Sequence, residues 1–130
     1  MNGTIDFLLD TNFFLALVKH YPPEVADFPE LDLNLSKFAI SSITHMELWS
    51  FRDLTESEAE KIKYLESRIR KVPITGAIEE STIKVRRSRR LKLPDAIILA
   101  TALETKARLL TLDDQLRTAF EEIRNRHNLT

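Results

Sequence analysis

Four acidic residues stand in apolar or hydroxyl-rich stretches where a charge needs a reason: Asp10 in "IDFLLDTN", Glu47 in "SSITHMELWS", Asp95 in "LKLPDAIILATAL" and Asp113 in "LLTLDDQL". Each has an ordinary structural use. Asp10 and Asp113 can cap the helices that follow them, and Asp95 can answer the partial positive charge of its helix end. Thr44 followed three residues later by Glu47 is the signature of a capping box. Taken singly, capping is the commoner use of such acids. Taken together they pose a different problem, because carboxylates a few ångströms apart repel unless a proton or a cation intervenes. A hard divalent ion such as Mg²⁺ or Mn²⁺ resolves it, since it takes oxygen ligands, keeps several waters and bridges carboxylates to phosphate oxygens. Held this way it lowers the pKa of a bound water and neutralises charge growing on a phosphodiester. Two such ions about 3.5 to 4 Å apart clamp entering and leaving oxygens.

Whether the four acids meet depends on the elements that carry them. Residues 5–10 form a short apolar run ending in Asp, the pattern of a strand buried on both faces of a parallel sheet. "NFFLALVKH" follows as a packed helix, stopped by "YPPE" at residues 21–24. After a loop through Pro29, "KFAIS" is a second strand, and a helix starting near Thr44 carries Trp49 and Phe51 at core-like positions, as the Phe13, Phe14 pair is. Residues 55–71 form a polar amphipathic helix, with Ile62, Leu65 and Ile69 at helical spacing and a capping box at Thr55 and Glu58. "VPI" at 72–74 is a brief third strand, and a basic helix runs from Ala77 to about Leu91. A helix opening at Pro94 is apolar on nearly every side and must be buried. A fourth strand at 108–111 feeds a last short helix. Strands alternating with helices imply a single doubly wound α/β domain over residues 1–130, three layers (α/β/α) around a parallel sheet of four to five strands. In that architecture strand C-termini and helix N-termini share one edge, where ligands bind. All four acids fall on that edge.

The remaining inventory narrows the chemistry. With no cysteine in 130 residues, disulfides, thiolate zinc sites and thiol nucleophiles are excluded. Two glycines, Gly3 and Gly76, cannot build a glycine-rich phosphate cradle. His20, His45 and His127 are scattered, which disfavours paired imidazoles acting as acid and base. His45 points to another helix face than Glu47 and reads as surface or core filler. No signal-like leader and no apolar run of roughly 18 residues is present, so a cytoplasmic location is expected and the Asn2 and Asn128 sequons read as chance matches. Net charge is -1, yet "IKVRRSRRLK" concentrates Arg86, Arg87, Arg89 and Arg90 with no acid among them. Such a run is either a solvated helix face or a phosphate-facing patch. Carboxylates with basic residues nearby suit nuclease chemistry.

The four quoted acidic segments, in that order and at those separations, resemble the PIN-domain ribonucleases, and among them the VapC-type toxins of toxin–antitoxin pairs. The resemblance spans almost the whole chain, with "LPDAIILATAL" its most specific piece. It implies Mg²⁺- or Mn²⁺-dependent cleavage of RNA, with Asp10, Glu47, Asp95 and Asp113 as catalytic and metal-binding cluster. Thr11, Asn12 and Thr111 would orient those carboxylates, and Arg86, Arg87, Arg89 and Arg90 would contact RNA. It further implies a 5′-phosphate and a 3′-hydroxyl product, a homodimer, and a cognate antitoxin that reaches into the acidic pocket. The chain departs from the pattern after Asp113, where "DQLRTAFEEIRNRHNLT" is polar and helix-like in place of a fifth strand. Asp113 is preferred over Asp114 because it stands two residues after Thr111. Two rival readings remain at this level: a Mg²⁺-dependent phosphatase or phosphoacceptor with Asp10 as nucleophile, and a non-catalytic PIN-like binding module whose acids only cap helices.

Overall fold

The computed structural model describes residues 4–20 and 35–129. The stop at 21–24, the Pro29 loop and the Asn2 sequon lie outside the described residues, as do the side chains of His20, His127 and Asn128. Four short strands, β1 (Phe7–Leu9), β2 (Phe38–Ser41), β3 (Arg70–Val72) and β4 (Arg108–Leu110), form one sheet in the order β3-β2-β1-β4. Every pairing is parallel, with Leu8 opposite both Ala39 and Leu109. β1, β2 and β4 are trimmed relative to the runs that announce them, and β3 keeps its length but falls on Arg70–Val72 rather than on residues 72–74. Pro73 follows it directly and has no N–H to give the ladder.

Alternation along β1 decides the layers. Leu8 packs with Ala39 and Leu109 against one group of helices, and Leu9 packs with Ile40 against another. The Leu9 side is covered by α1 (Thr11–His20), α2 (Ser42–Trp49) and α3 (Glu56–Arg68), through Phe14, Val18, Leu48, Ile62 and Leu65. The Leu8 side is covered by α4 (Gly76–Ser88), α5 (Leu93–Thr105) and α6 (Asp114–Leu129), through Val85, Leu99, Leu116 and Phe120. The result is the three-layer, all-parallel α/β/α arrangement. The "LPDAIILATAL" helix α5 lies between the sheet and α4, and all seven residues from Ala96 to Ala102 are buried.

The hairpin of α4 and α5 departs from simple winding. Four residues connect these two 13-residue helices, which pack on each other and so must run antiparallel. Lys106 closes α5 in the left-handed conformation (φ 59°), with its N–H and that of Ala107 returning to carbonyls of the last turn, and β4 begins two residues later. That tight turn puts the C-terminus of α5 at the start of β4 and its N-terminus on the opposite edge, where β1 ends. The basic helix stops at Ser88, three residues short of the expected Leu91, so Arg89 and Arg90 belong to the connection. Beyond Asp113 no strand occurs among the described residues: α6 runs 16 residues, longer than the short helix expected. Its buried stripe of Leu116, Ala119 and Phe120 is matched by a polar outer face.

Candidate active site

Asp10 follows β1 and works at once on two neighbours. Its Oδ1 accepts the backbone N–H of Phe13 (2.8 Å), capping α1, and its Oδ2 accepts the hydroxyl of Thr111 at the end of β4. The Thr111 hydroxyl in turn accepts the N–H of Asp113 (3.0 Å). Asp113 caps α6 by accepting from Gln115 and Leu116 (2.9 and 3.1 Å). Capping geometry is therefore real for Asp10 and Asp113. Asp114, the alternative acid, points into solvent and pairs with Arg117 (2.5 Å), whose other nitrogen donates to the Thr111 carbonyl (2.8 Å). This Arg117 clip between β4 and α6 carries no sequence signal that separates it from any surface arginine.

Glu47 is not a cap. Helix α2 begins at Ser42, two residues before the expected Thr44, because the Ser41 hydroxyl takes the N–H of Ile43 (3.1 Å). Thr44 is therefore inside the helix and fully buried, and no capping box forms there. Glu47 instead accepts the hydroxyl of Thr11 (2.5 Å), which also lies 3.3 Å from the Thr44 hydroxyl. The rest of α2 divides by face. Thr44 and Leu48 are buried; His45 and Trp49 both engage Glu66 of α3, at 2.6 and 2.9 Å. His45 is thus neither core filler nor a free surface residue. Trp49 and Phe51 correct the sequence reading too, being 40% and 45% exposed, whereas Phe14 is buried and Phe13 partly so.

Asp95 sits in the first turn of α5, whose N-cap, Lys92, supplies no side-chain hydrogen bond. The Asp95 carboxyl makes no hydrogen bond to any described residue. Its pKa is raised above the ordinary 3.8, first by burial and then by the charges of Asp113, Glu47 and Asp10; Lys92 opposes the shift. The charges of the other three predicted acids thus all reach Asp95. Asp10, Glu47 and Asp95 line one hollow of about 510 Å³, together with Thr11 and Asn12. The rest of its wall is mainly apolar, from Ile43, Met46, Phe51 and Ile98, with Ser50 among them. Thr111 and Asp113 join through the Asp10 contact and the field on Asp95. Among the described residues, no three acidic or imidazole groups converge into a ready-made cage for a bare ion.

The basic residues gather elsewhere on the same helix end. Arg86, Arg87, Arg90 and Lys92 are exposed around a groove at the α4–α5 connection, which Leu93 also lines. Arg89 lines the same groove and pairs with Glu122 of α6 (2.6 Å). Among the described residues, no helix is long and apolar enough to cross a membrane.

Comparison with known proteins bears on the fold and the family. In a toxin–antitoxin complex from Klebsiella pneumoniae, one chain is 32% identical to this one, over 83% of this chain and 87% of its own, with a TM-score of 0.63. VapBC2 from Rickettsia felis, bound to a DNA fragment from its promoter, matches at 20% identity over 87% and 92% of the two chains, with a TM-score of 0.67. VapBC-1 from nontypeable Haemophilus influenzae matches at 23% identity over 89% and 92%, with a TM-score of 0.65. The last two likenesses speak for the fold alone. A search of curated proteins finds no match. The PIN-domain family model matches residues 7–121, a span that holds every strand, all four acids and the hydroxyls that orient them. On that match, joined to the sheet order and the acidic edge, the chain belongs to the PIN-domain family.

Proposed function

We propose that this chain is a Mg²⁺- or Mn²⁺-dependent endoribonuclease and the toxin half of a toxin–antitoxin pair. The observation that carries the reading is the meeting of Asp10, Glu47 and Asp95, from three distant segments, in one hollow where Asp113 adds to the repulsion that resists ionisation of Asp95. A hard cation fits this set: the donors are all oxygen, they are charged alike, and the open spacing suits an ion that retains part of its water shell. Asp10, Glu47, Asp95 and Asp113 would hold it. When bound, such an ion supplies a water of lowered pKa and offsets charge on the phosphodiester in the transition state.

The chain's own groups do the positioning. Thr111 and the Phe13 N–H hold the Asp10 carboxylate on both oxygens, Thr11 holds one oxygen of Glu47, and the α6 amides hold one of Asp113. Each hydrogen bond fixes a carboxylate orientation while leaving lone pairs for a ligand. Arg86, Arg87 and Arg90 would draw the phosphate backbone toward the α5 end. The rival readings fare worse. A phosphoacceptor reading of Asp10 gains nothing from the residues that follow it, since Thr11 and Asn12 add no second carboxylate. Helix capping alone accounts for Asp10 and Asp113 but not for Glu47 or Asp95, which cap nothing.

By analogy with the Klebsiella toxin–antitoxin complex, the partner would be a cognate antitoxin; the resemblance to VapC-type toxins would put it over the acidic hollow. A homodimer is the proposed assembly. The test is incubation of the purified protein with total cellular RNA, with Mg²⁺, with Mn²⁺ and with chelator, followed by mapping of the ends. Cation-dependent cuts bearing 5′-phosphates are expected; no cleavage under either metal rejects the reading.

A further inference from the structure

The wall beside the acids has a chemistry of its own. Helix α2 turns Met46 toward the same hollow as Glu47, and Phe51 follows just past its end; they are 50% and 45% exposed. Neither belongs to the buried core, and together they leave apolar surface open to the hollow. Asn12, exposed and lining the same hollow, makes no side-chain hydrogen bond to any described residue and keeps its amide donors and acceptor available. An uncharged aromatic wall, an unpaired amide and an acidic floor thus share one cavity.

We propose that Phe51 and Met46 seat one unpaired nucleobase of the RNA strand, beside the phosphodiester cut at the acids, with Asn12 able to read its edge. The inference rests on the nuclease reading above and adds what would select the cut site. Charge decides between an RNA strand and a cationic peptide as occupant. The acid hollow and a groove carrying Arg86, Arg87, Arg89, Arg90 and Lys92 both border the first turn of α5, the first at Asp95 and the second at Leu93. A strand of RNA satisfies both sides: its phosphates lie along the arginines and its base stacks where the wall carries no charge. A basic peptide over the acids, as the proposed antitoxin would be, leaves the arginine groove without a partner. The phenyl face is also indifferent to base identity, so stacking supplies affinity and the Asn12 amide supplies preference.

The test is a cycle between Phe51 and the base. Oligoribonucleotides carrying an abasic residue at each position around a mapped cut are cleaved by the wild type, Phe51→Ala and Phe51→Tyr, with Asn12→Ala as a fourth protein. Loss of one base is expected to lower wild-type kcat/KM about 10-fold or more, the scale of a base–aromatic stack. Phe51→Ala should lose as much on intact RNA and nothing further on that abasic substrate, Phe51→Tyr should stay within about threefold of wild type, and Asn12→Ala should flatten base preference. Equal cleavage of intact RNA by Phe51→Ala and wild type overturns the proposal, as does a tyrosine variant that fails as badly as alanine. If the wild type binds RNA without cutting it, the nuclease reading falls, and the same cycle read by fluorescence anisotropy still decides the base seat. A wall whose loss weakens only the binding of a cationic peptide marks it as a protein-docking surface and also overturns the proposal.

Discussion

Two stretches of this chain carry the same signature, a threonine followed three residues later by glutamate near a helix start, and the molecule uses them in opposite ways. At Thr55 and Glu58 the full capping box forms: the Thr55 hydroxyl accepts the Glu58 N–H and the Glu58 carboxylate accepts the Thr55 N–H, both at 3.0 Å. Those bonds to Thr55 hold the Glu58 pKa below its ordinary value. At Thr44 and Glu47 nothing of the kind happens. Ser41 captures the helix start three residues earlier, which buries Thr44 and releases Glu47 to face Thr11, Asp10 and Asp95. A competing hydroxyl one turn upstream converts a stability motif into a candidate site residue.

Substitutions at the two glutamates sharpen that contrast most. Glu47→Gln keeps the side-chain volume and can still accept from Thr11, so its melting temperature should stay near that of the wild type. Metal-dependent RNA cleavage should fall about 100-fold or more, since a charged ligand is gone; cleavage at the wild-type rate would remove Glu47 from the site. Glu58→Gln should leave cleavage unchanged. The threonines extend the pair. Thr11→Val removes the donor that orients Glu47 and is expected to cost about 10-fold in cleavage. Thr55→Ala should instead cost about 1 kcal/mol of stability, roughly 4 °C in melting temperature, at full activity. If Thr55→Ala impaired cleavage as much as Thr11→Val does, the division of roles between the two motifs would be wrong.

Asp95 allows a test by pH. Because its folded pKa is raised, the neutral form suits the fold, and the stability this contributes is present at pH below about 3.8 and lost as pH rises through the elevated value. Asp95→Asn should therefore melt higher than the wild type at neutral pH without divalent ions, by roughly 2 °C, with the gap closing under acid. Added Mg²⁺ should raise the wild-type melting temperature more than that of the variant. A gap that widens as pH falls would contradict the repulsion. The smallest effect is expected on the basic side. Arg86→Glu with Arg90→Glu should weaken RNA binding, more at low salt than at high, with the salt slope reduced by about 1 per lost phosphate contact. Arg89→Glu should mainly cost stability by breaking its pair with Glu122.

Much of this could be read along the chain because it is local or periodic. The apolar runs around Leu8, Ala39 and Leu109 mark the parallel strands, the unbroken apolar surface from Ala96 to Ala102 marks the buried helix, and the order of strands and helices brings the four acids to one edge. Side-chain alternation and the right-handed crossover leave few other arrangements for such a pattern. Other features depend on which of several equivalent groups wins in three dimensions. Ser41 rather than Thr44 starts α2, and residues 89–90 leave the basic helix so that Arg89 meets Glu122. The aromatic at 51 is spent on the rim of the hollow rather than in the core, and the Thr111 hydroxyl finds Asp10 across 101 residues. Hydrophobic periodicity records which face turns inward, so it specifies layers; a hydrogen-bond partner or a rim position is chosen only after those layers have packed, and no local pattern encodes it.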